Sequence, residues 1–488
     1  MNWQDAAGEL LVDRDAKIAP MFGRLLFNAR SARSREKGRR MAIGQSVKRR
    51  MVSATARSLI GIAARASDRN LIRLTYALQR VLPKIDFYQN GLVTIRRMFE
   101  EGHQGMNAVR RVLTEPSRAA VRHLINNMIV GNLVEGYRRR YVFWEKYGIA
   151  PPATVLFSPT MRCNLNCAGC YAGEYSRDEE LDRATADRII AESQEIGINV
   201  FTILGGEPFL WPRLPELFED HPEAAFQVFT NGSLLDEAMI KRLAKAANAL
   251  VVLAIEGWRE TTERRRGPGS FDRVLALMDL MRHERMMIAY SVTVTRENVD
   301  EVTDPAFVRL MLDHGAHLGW YFHYQPTGRC AAMDSLPMPE QRETMRVRLR
   351  QARRTMPILI VDFLNDGALT EGCMSAGRRY IHINHRGEVE PCIFVHFATD
   401  NIHEKPLAEA LCSDFFRDLR RNMPFNANHL RPCMILDNPQ HLRDAVARCQ
   451  PRLTHPDADA FLTRLAPEID EYSARYAALT DARSRSSD

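Results

Sequence analysis

Apolar positions in the first 150 residues recur at helical spacing, as in Val121, Leu124, Ile125, Met128, Ile129 and Leu133, and β-branched runs are few. The spacing predicts a helical region. From Pro151 the texture changes to short apolar runs alternating with helical stretches. Strands are predicted at 154–158, 199–204, 226–230, 250–255, 287–293 and 318–324, and helices at 183–195, 213–220, 236–247, 271–283 and 305–314. Strands that alternate with helices pair in parallel through right-handed crossovers. The expected fold is therefore α/β, a partial (β/α)6 barrel of TIM-like type with its chemistry at the carboxyl ends of the strands.

After Pro326 the alternation is expected to stop. A helix at 341–354 and a short strand at 358–363 lead to two runs, 380–384 and 388–391, around the turn sequence "NHRG", which predicts a hairpin. A last helix at 458–478 ends in a polar tail expected to fray. The division that follows is a basic helical region 1–150, a core barrel 151–330, a small C-terminal unit 331–455, and a helix with tail 456–488.

Composition changes this picture in two places. With 45% hydrophobic and 26% charged residues the chain can pack a core, and no apolar run reaches the length of a membrane-spanning helix. The first residues are acidic and polar where a signal peptide is basic and then apolar, so the expected location is the cytoplasm. The net charge of +7 hides an asymmetry: residues 1–150 hold 28 Lys and Arg against 12 Asp and Glu, the remainder 39 against 48. The densest basic stretch, Arg30 to Arg50, suits the anionic inner face of a membrane or is a plain solvated charge run. It has no interleaved aromatic residues, which argues against nucleic acid as a partner.

Nine cysteines in a cytosolic chain point to metal or catalytic roles rather than disulfides. Cys163, Cys167 and Cys170 in "MRCNLNCAGCY" follow the first predicted strand. Thiolates suit iron–sulfur clusters and zinc alike, but structural zinc wants four ligands and no fourth lies nearby in sequence. Three thiolates on a cubane leave one iron open. "GGEP", Gly205 to Pro208, ends the second predicted strand. Its glycines allow a ligand close to the backbone, and Glu207 can accept a hydrogen bond from an ammonium group.

With this spacing and this second motif, the chain resembles the radical S-adenosylmethionine superfamily. The resemblance implies an enzyme in which Cys163, Cys167 and Cys170 hold a 4Fe–4S cluster whose open iron binds S-adenosylmethionine. Reduction of that cofactor then yields a 5′-deoxyadenosyl radical that takes hydrogen from substrate. It further implies cofactor contacts from Tyr171, Gly205, Gly206, Glu207, Pro208, Asn231 and Glu256, and a reducing partner such as flavodoxin or ferredoxin. The family often has an aromatic residue before the third cysteine; here that position is Gly169 and the aromatic residue is Tyr171.

Cys373, "INHRGEVEPC" with Gly387 and Cys392, and Cys433 in "LRPC" resemble the auxiliary-cluster extensions called SPASM or twitch domains. One auxiliary iron–sulfur cluster is implied, with Cys449 as fourth ligand or, without it, an open iron able to bind substrate. Zinc on the same four thiolates is the alternative. Cys330 and Cys412 match no pattern and read as buried fillers. The phrases "GWYFHYQPTGR", "GRRYIHINHRGEVEPC" and "NANHLRPC" resemble a group of bacterial radical S-adenosylmethionine proteins of similar length. The substrate is unassigned: a membrane lipid is the leading expectation, and a ribosomally made peptide the runner-up. Peptide maturases usually carry a strand-containing winged domain where this chain reads as helical.

Overall fold

The computed structural model describes residues 66–81, 93, 96–329 and 331–485. The basic stretch Arg30 to Arg50 lies outside the described residues, as does Cys330. Strands β1 (Thr154–Phe157), β2 (Val200–Ile203), β3 (Ala225–Thr230), β4 (Ala249–Ala254), β5 (Ile288–Val294) and β6 (Leu318–His323) form where the apolar runs predict them. All six pair in parallel in sequence order. Asp182, Asp236 and Asp304 accept hydrogen bonds from the first-turn N–H groups of the helices that follow, satisfying donors that would otherwise be orphaned.

The alternation does not stop at β6. Helix Pro339–Thr355 leads to β7 (Leu359–Asp362), which pairs in parallel with β6, so the short strand assigned to the C-terminal unit is the seventh strand of the barrel sheet. At the other edge β8 (Tyr380–Ile383) pairs in parallel with β1 and turns through Gly387, at φ +77°, into the antiparallel strand β9 (Glu388–Glu390). The predicted hairpin thus extends the sheet itself. Among the described residues ten strands run in one open order, from β10 (Asp400–Asn401) through β9, β8 and β1 to β7. The sheet curls, because the Phe229 ring on β3 meets Trp320 and Phe322 on β6 at 6.1 and 5.6 Å, three strands away.

Buried residues from Phe143 to Tyr476 make one continuous core that joins the barrel, the C-terminal unit and the last helix. That helix spans Ala466–Arg485, beginning later than expected and reaching into the tail. Within the described part of residues 1–150, helices include Gly105–Thr114, Arg118–His123 and Gly136–Tyr147. They sit under the barrel. Asn127 donates to the carbonyls of Pro222 and Ala224 before β3, and Arg111 to those of Ala316 and Pro357 before β6 and β7. On the apolar face around Val121–Leu133, Ile125 is 3% exposed whereas Met128 is 45% exposed.

Candidate active site

The loop after β1 carries Cys163, Cys167 and Cys170, all half-buried, alternating with exposed neighbours. Burial pushes the thiols of Cys163 and Cys167 up; at Cys167 the nearby guanidiniums of Arg266 and Arg265 oppose that shift. The loop is pinned at several points. Asn231, just past β3, donates from its amide to Asn164 Oδ1 at 3.0 Å and lies 4.0 Å from Cys163 Sγ. The backbone of Arg329 donates to the Cys170 carbonyl at 3.0 Å.

Gly169 holds a left-handed conformation, φ +63°, and a Cβ there would stand 2.6 Å from the Tyr324 ring. An aromatic ring from just past β6 thus fills the space beside Gly169. Tyr171 is turned the other way. Its ring meets Phe394 edge-on at 5.7 Å and lies parallel to His396 at 6.4 Å, with its hydroxyl 3.5 Å from the Gly205 carbonyl.

The turn of Gly205 to Pro208 closes against the start of this loop rather than standing open. Gly206 N–H donates to the Thr160 carbonyl at 3.1 Å and Glu207 N–H to that of Arg162 at 2.8 Å. A Cβ on Gly205 would stand 2.2 Å from the Thr160 oxygen, and one on Gly206 2.1 Å from the Arg162 oxygen. The close approach that requires glycine is therefore to the chain itself. Glu207 is completely buried. Its carboxylate accepts from Thr230 Oγ1 at 2.7 Å, Phe209 N at 3.1 Å and Asn231 N at 2.8 Å, so it ties the turn to the end of β3 and does not face outward for an ammonium group.

Glu256, at the end of β4, departs from expectation for the same reason. It is fully buried, and one oxygen accepts from Arg265 Nη1 at 2.6 Å and Arg266 Nε at 2.7 Å while the other accepts from Thr293 N at 3.0 Å. Arg265 in turn donates to the Ala168 carbonyl at 3.1 Å, inside the cysteine loop. These two arginines are the site residues that the sequence reading missed. Their signal was the basic end of helix Arg259–Arg266, which looks like an ordinary favourable charge at a helix C-terminus.

The C-terminal unit gathers a second set of thiols. Cys373, Cys392 and Cys433 line one cavity with Gln325, Phe363, Tyr380 and Phe394. Burial pushes Cys392 up to about 12, and raises Cys373 and Cys433 as well. Cys449 is not brought there: it closes helix Pro439–Cys449, where its charged neighbours are Asp418 and Arg448. Cys412 is half-buried, close to Arg417 and Arg420. Gln325 and Phe363 follow β6 and β7, so this cavity and the first cysteine loop share the carboxyl edge of one parallel sheet.

A buried polar network joins the two regions. Tyr175 donates to Glu390 at 2.6 Å and also contacts His396 Nδ1; His382 Nδ1 meets the other Glu390 oxygen at 2.6 Å, and its Nε2 meets Ser158 Oγ at 2.7 Å. Ser158 leaves β1 directly behind Gly205, and Glu390 lies two residues before Cys392.

Among the described residues no group of three or more His, Cys, Asp or Glu is arranged to hold a single metal ion. A cubane makes a different demand, since each thiolate binds its own iron and the sulfurs stay apart. Two sets of three thiols, the first half-buried on one loop and the second lining one cavity, fit that demand.

Residues 157–304 match the radical SAM superfamily model, and residues 373–434 the model of an iron–sulfur cluster-binding domain, SPASM. The first implies a 4Fe–4S cluster with S-adenosylmethionine, the second auxiliary iron–sulfur binding. An AdoMet-dependent heme synthase of Methanosarcina barkeri is 28% identical over 55% of this chain and 85% of its own length. The Fe-coproporphyrin III synthase of the same organism is 28% identical over 41% of this chain, which spans about half of that protein, 51%. A PqqA peptide cyclase of Granulibacter bethesdensis is 28% identical over 50% of this chain and 68% of its own. The solved structure of SuiB from Streptococcus suis aligns with 59% of this chain and 72% of its own at 18% identity and a TM-score of 0.49.

Proposed function

From its place in the radical S-adenosylmethionine superfamily, as an enzyme with a C-terminal iron–sulfur cluster-binding domain, we propose that this chain modifies a carbon centre of a peptide substrate held between its two cysteine sites. The observation that carries the reading is their placement on one carboxyl edge, with the Tyr171–Phe394 contact of 5.7 Å between them. Peptide cyclases among the relatives support the substrate class.

Cys163, Cys167 and Cys170 are the ligands assigned to the first cluster, and Cys373, Cys392 and Cys433 those of the auxiliary one. When bound, the first cluster and S-adenosylmethionine supply an electron and a carbon-centred radical that takes hydrogen from substrate. The chain's own part is positioning. Glu256 holds Arg265 and Arg266 beside Cys167, where guanidinium donors not spent on Glu256 suit the cofactor's carboxylate. Glu207 fixes the backbone of Asn231 and of the turn.

A second reading, a tetrapyrrole substrate, rests on the heme synthase relative and on the aromatic inner wall of the barrel, where Trp320 and Phe322 stack at 5.5 Å and Phe322 meets Phe363 at 5.1 Å. Reconstituted enzyme with S-adenosylmethionine labelled with deuterium at C5′, offered peptides encoded beside the gene or an iron porphyrin, tests both. Peptide-dependent consumption of cofactor with a changed peptide mass supports the first reading. Turnover with the porphyrin alone overturns it.

A further inference from the structure

Arg342, on helix Pro339–Thr355, and Asp437, four residues past Cys433, form an ion pair whose side chains are both 0% exposed. Arg342 Nη1 donates to Asp437 Oδ1 at 2.5 Å and Nη2 to Oδ2 at 3.0 Å, the two-pronged geometry that suits guanidinium and carboxylate. The other donors reach the Leu430 carbonyl at 3.2 Å and Asn365 Oδ1 at 2.9 Å, and the guanidinium carbon stands 3.8 Å from the centre of the Tyr476 ring. The fork thus ties both sides of Cys433 to the end of β7 and to the last helix. Replacing such a pair by apolar residues is often neutral or stabilising, so its burial beside a cluster ligand asks for a reason other than stability. Asp437 also closes the turn that carries Cys433 in both directions: Oδ2 accepts from Cys433 N at 3.0 Å, and Asp437 N donates to the Cys433 carbonyl at 3.1 Å. Within this turn the N–H groups of Ile435 and Leu436 face Cys433 Sγ at 3.4 and 3.5 Å. Hydrogen bonds to sulfur and nearby charge are two of the levers that set the potential of an iron–sulfur cluster. Asp437 acts on both, since it shapes the turn that aims the two donors and, after burial, is the next cause that pushes the Cys433 thiol up.

Resting on the assignment of Cys373, Cys392 and Cys433 to the auxiliary cluster, we infer that Arg342 is a positioning residue for that cluster: through Asp437 it holds the Cys433 turn and cancels the carboxylate's charge, so that the pair sets the auxiliary reduction potential. The carboxylate is needed for the shape of the turn, and an unpaired negative charge beside a thiolate ligand would make the cluster harder to reduce. The guanidinium from the barrel helix removes that penalty and keeps the shape.

The test uses the full chain with Cys163→Ala, Cys167→Ala and Cys170→Ala, in which retention of about four irons establishes the auxiliary cluster before any potential is read. Where this background holds no iron, unsubstituted protein serves, its auxiliary signal being the one that S-adenosylmethionine leaves unchanged. Only about four irons in that protein too would overturn the ligand assignment, a failure separate from that of the pair. Midpoint potentials come from anaerobic redox titration followed by electron paramagnetic resonance. Asp437→Asn keeps an acceptor for Cys433 N–H and leaves the permanently charged guanidinium uncompensated, so reduction should become about tenfold more favourable, a rise of about 59 mV for one electron. Arg342→Met/Asp437→Asn removes both charges and should return the reduction equilibrium to within about twofold of the unsubstituted pair. Damage to the turn alone would displace the double variant further than the single one. That result, or an unshifted potential in Asp437→Asn, overturns the inference. Should Asp437→Asn bind no auxiliary iron, rescue decides: iron restored in the double variant supports the inference, because the unpaired guanidinium was then the fault, and no iron in either variant overturns it.

Discussion

Glu256→Gln isolates the device that sets the two arginines beside the cysteine loop. The side chain is fully buried and its partners Arg265 and Arg266 are 15% and 13% exposed, so the three charges are largely out of water. Glutamine keeps the shape but has one acceptor oxygen. If that oxygen serves the guanidiniums, the new amide N–H₂ faces the N–H of Thr293; turned over, it faces two cations. Either way at least one charge-assisted hydrogen bond worth about 1.5–3 kcal/mol is lost, and breaking a buried pair costs about 3–5 kcal/mol. The same change frees Arg265, whose second bond goes to Ala168 between Cys167 and Cys170. We predict a stability loss of about 3–5 kcal/mol in anaerobic denaturation and, if about 3 kcal/mol of it reaches the cofactor site, a rise of about 100-fold in the Kd for S-adenosylmethionine by calorimetry. Glu260→Gln, on the same helix but 92% exposed at its side chain, should stay within about 0.5 kcal/mol. Wild-type stability and affinity in Glu256→Gln would refute the positioning argument.

Reconstituted wild-type protein should bind about eight irons, and the Cys163→Ala/Cys167→Ala/Cys170→Ala variant about half, read by colorimetric iron assay. Gly206→Ala places a methyl 2.1 Å from the Arg162 carbonyl oxygen, so it should displace the turn and lower both iron content and cofactor binding, whereas Gly102→Ala, which strains a φ of +65° but meets no atom within 4 Å of the added Cβ, should leave both unchanged. Asp362 at the end of β7 has its carboxyl pushed up to about 7, by burial first and then by Asp366. A carboxyl raised in the fold gives stability that is complete below its unfolded value near 3.9 and is lost as pH rises to about 7. The thermal midpoint of wild-type protein should therefore fall between pH 5 and 7.5 relative to Asp362→Asn, and parallel curves would contradict this.

What could be read from the chain was local. The cysteine spacing, the glycine turn at Gly205 and six strands follow from periodicity and residue type within windows of ten or so positions, and each is found within a residue or two of its expected place. The misses involve contacts between distant segments. β7 looks like an isolated apolar run until it is seen beside β6, and β8 pairs with β1 more than 200 residues earlier. Glu207 and Glu256 were rightly placed at strand ends, but whether a carboxylate there faces a ligand or the protein depends on Thr230, Asn231, Arg265 and Arg266, which no spacing rule reports. The network of Tyr175, His382, Glu390 and His396 is illegible for the same reason, since its members come from three segments. Cys449 was counted with the auxiliary thiols by residue type alone. The helix it closes carries it toward Asp418 instead.

The central claim is that the loop of Cys163, Cys167 and Cys170 binds the cluster at which S-adenosylmethionine is cleaved. The most direct measurement is chromatography of 5′-deoxyadenosine formed by full-length, anaerobically reconstituted protein after dithionite reduction, with the fold of each variant checked by circular dichroism. Wild-type protein is predicted to form it, Cys392→Ala to form it slowly without substrate turnover, and Cys163→Ala to form none. Formation at the wild-type rate by Cys163→Ala would contradict the account.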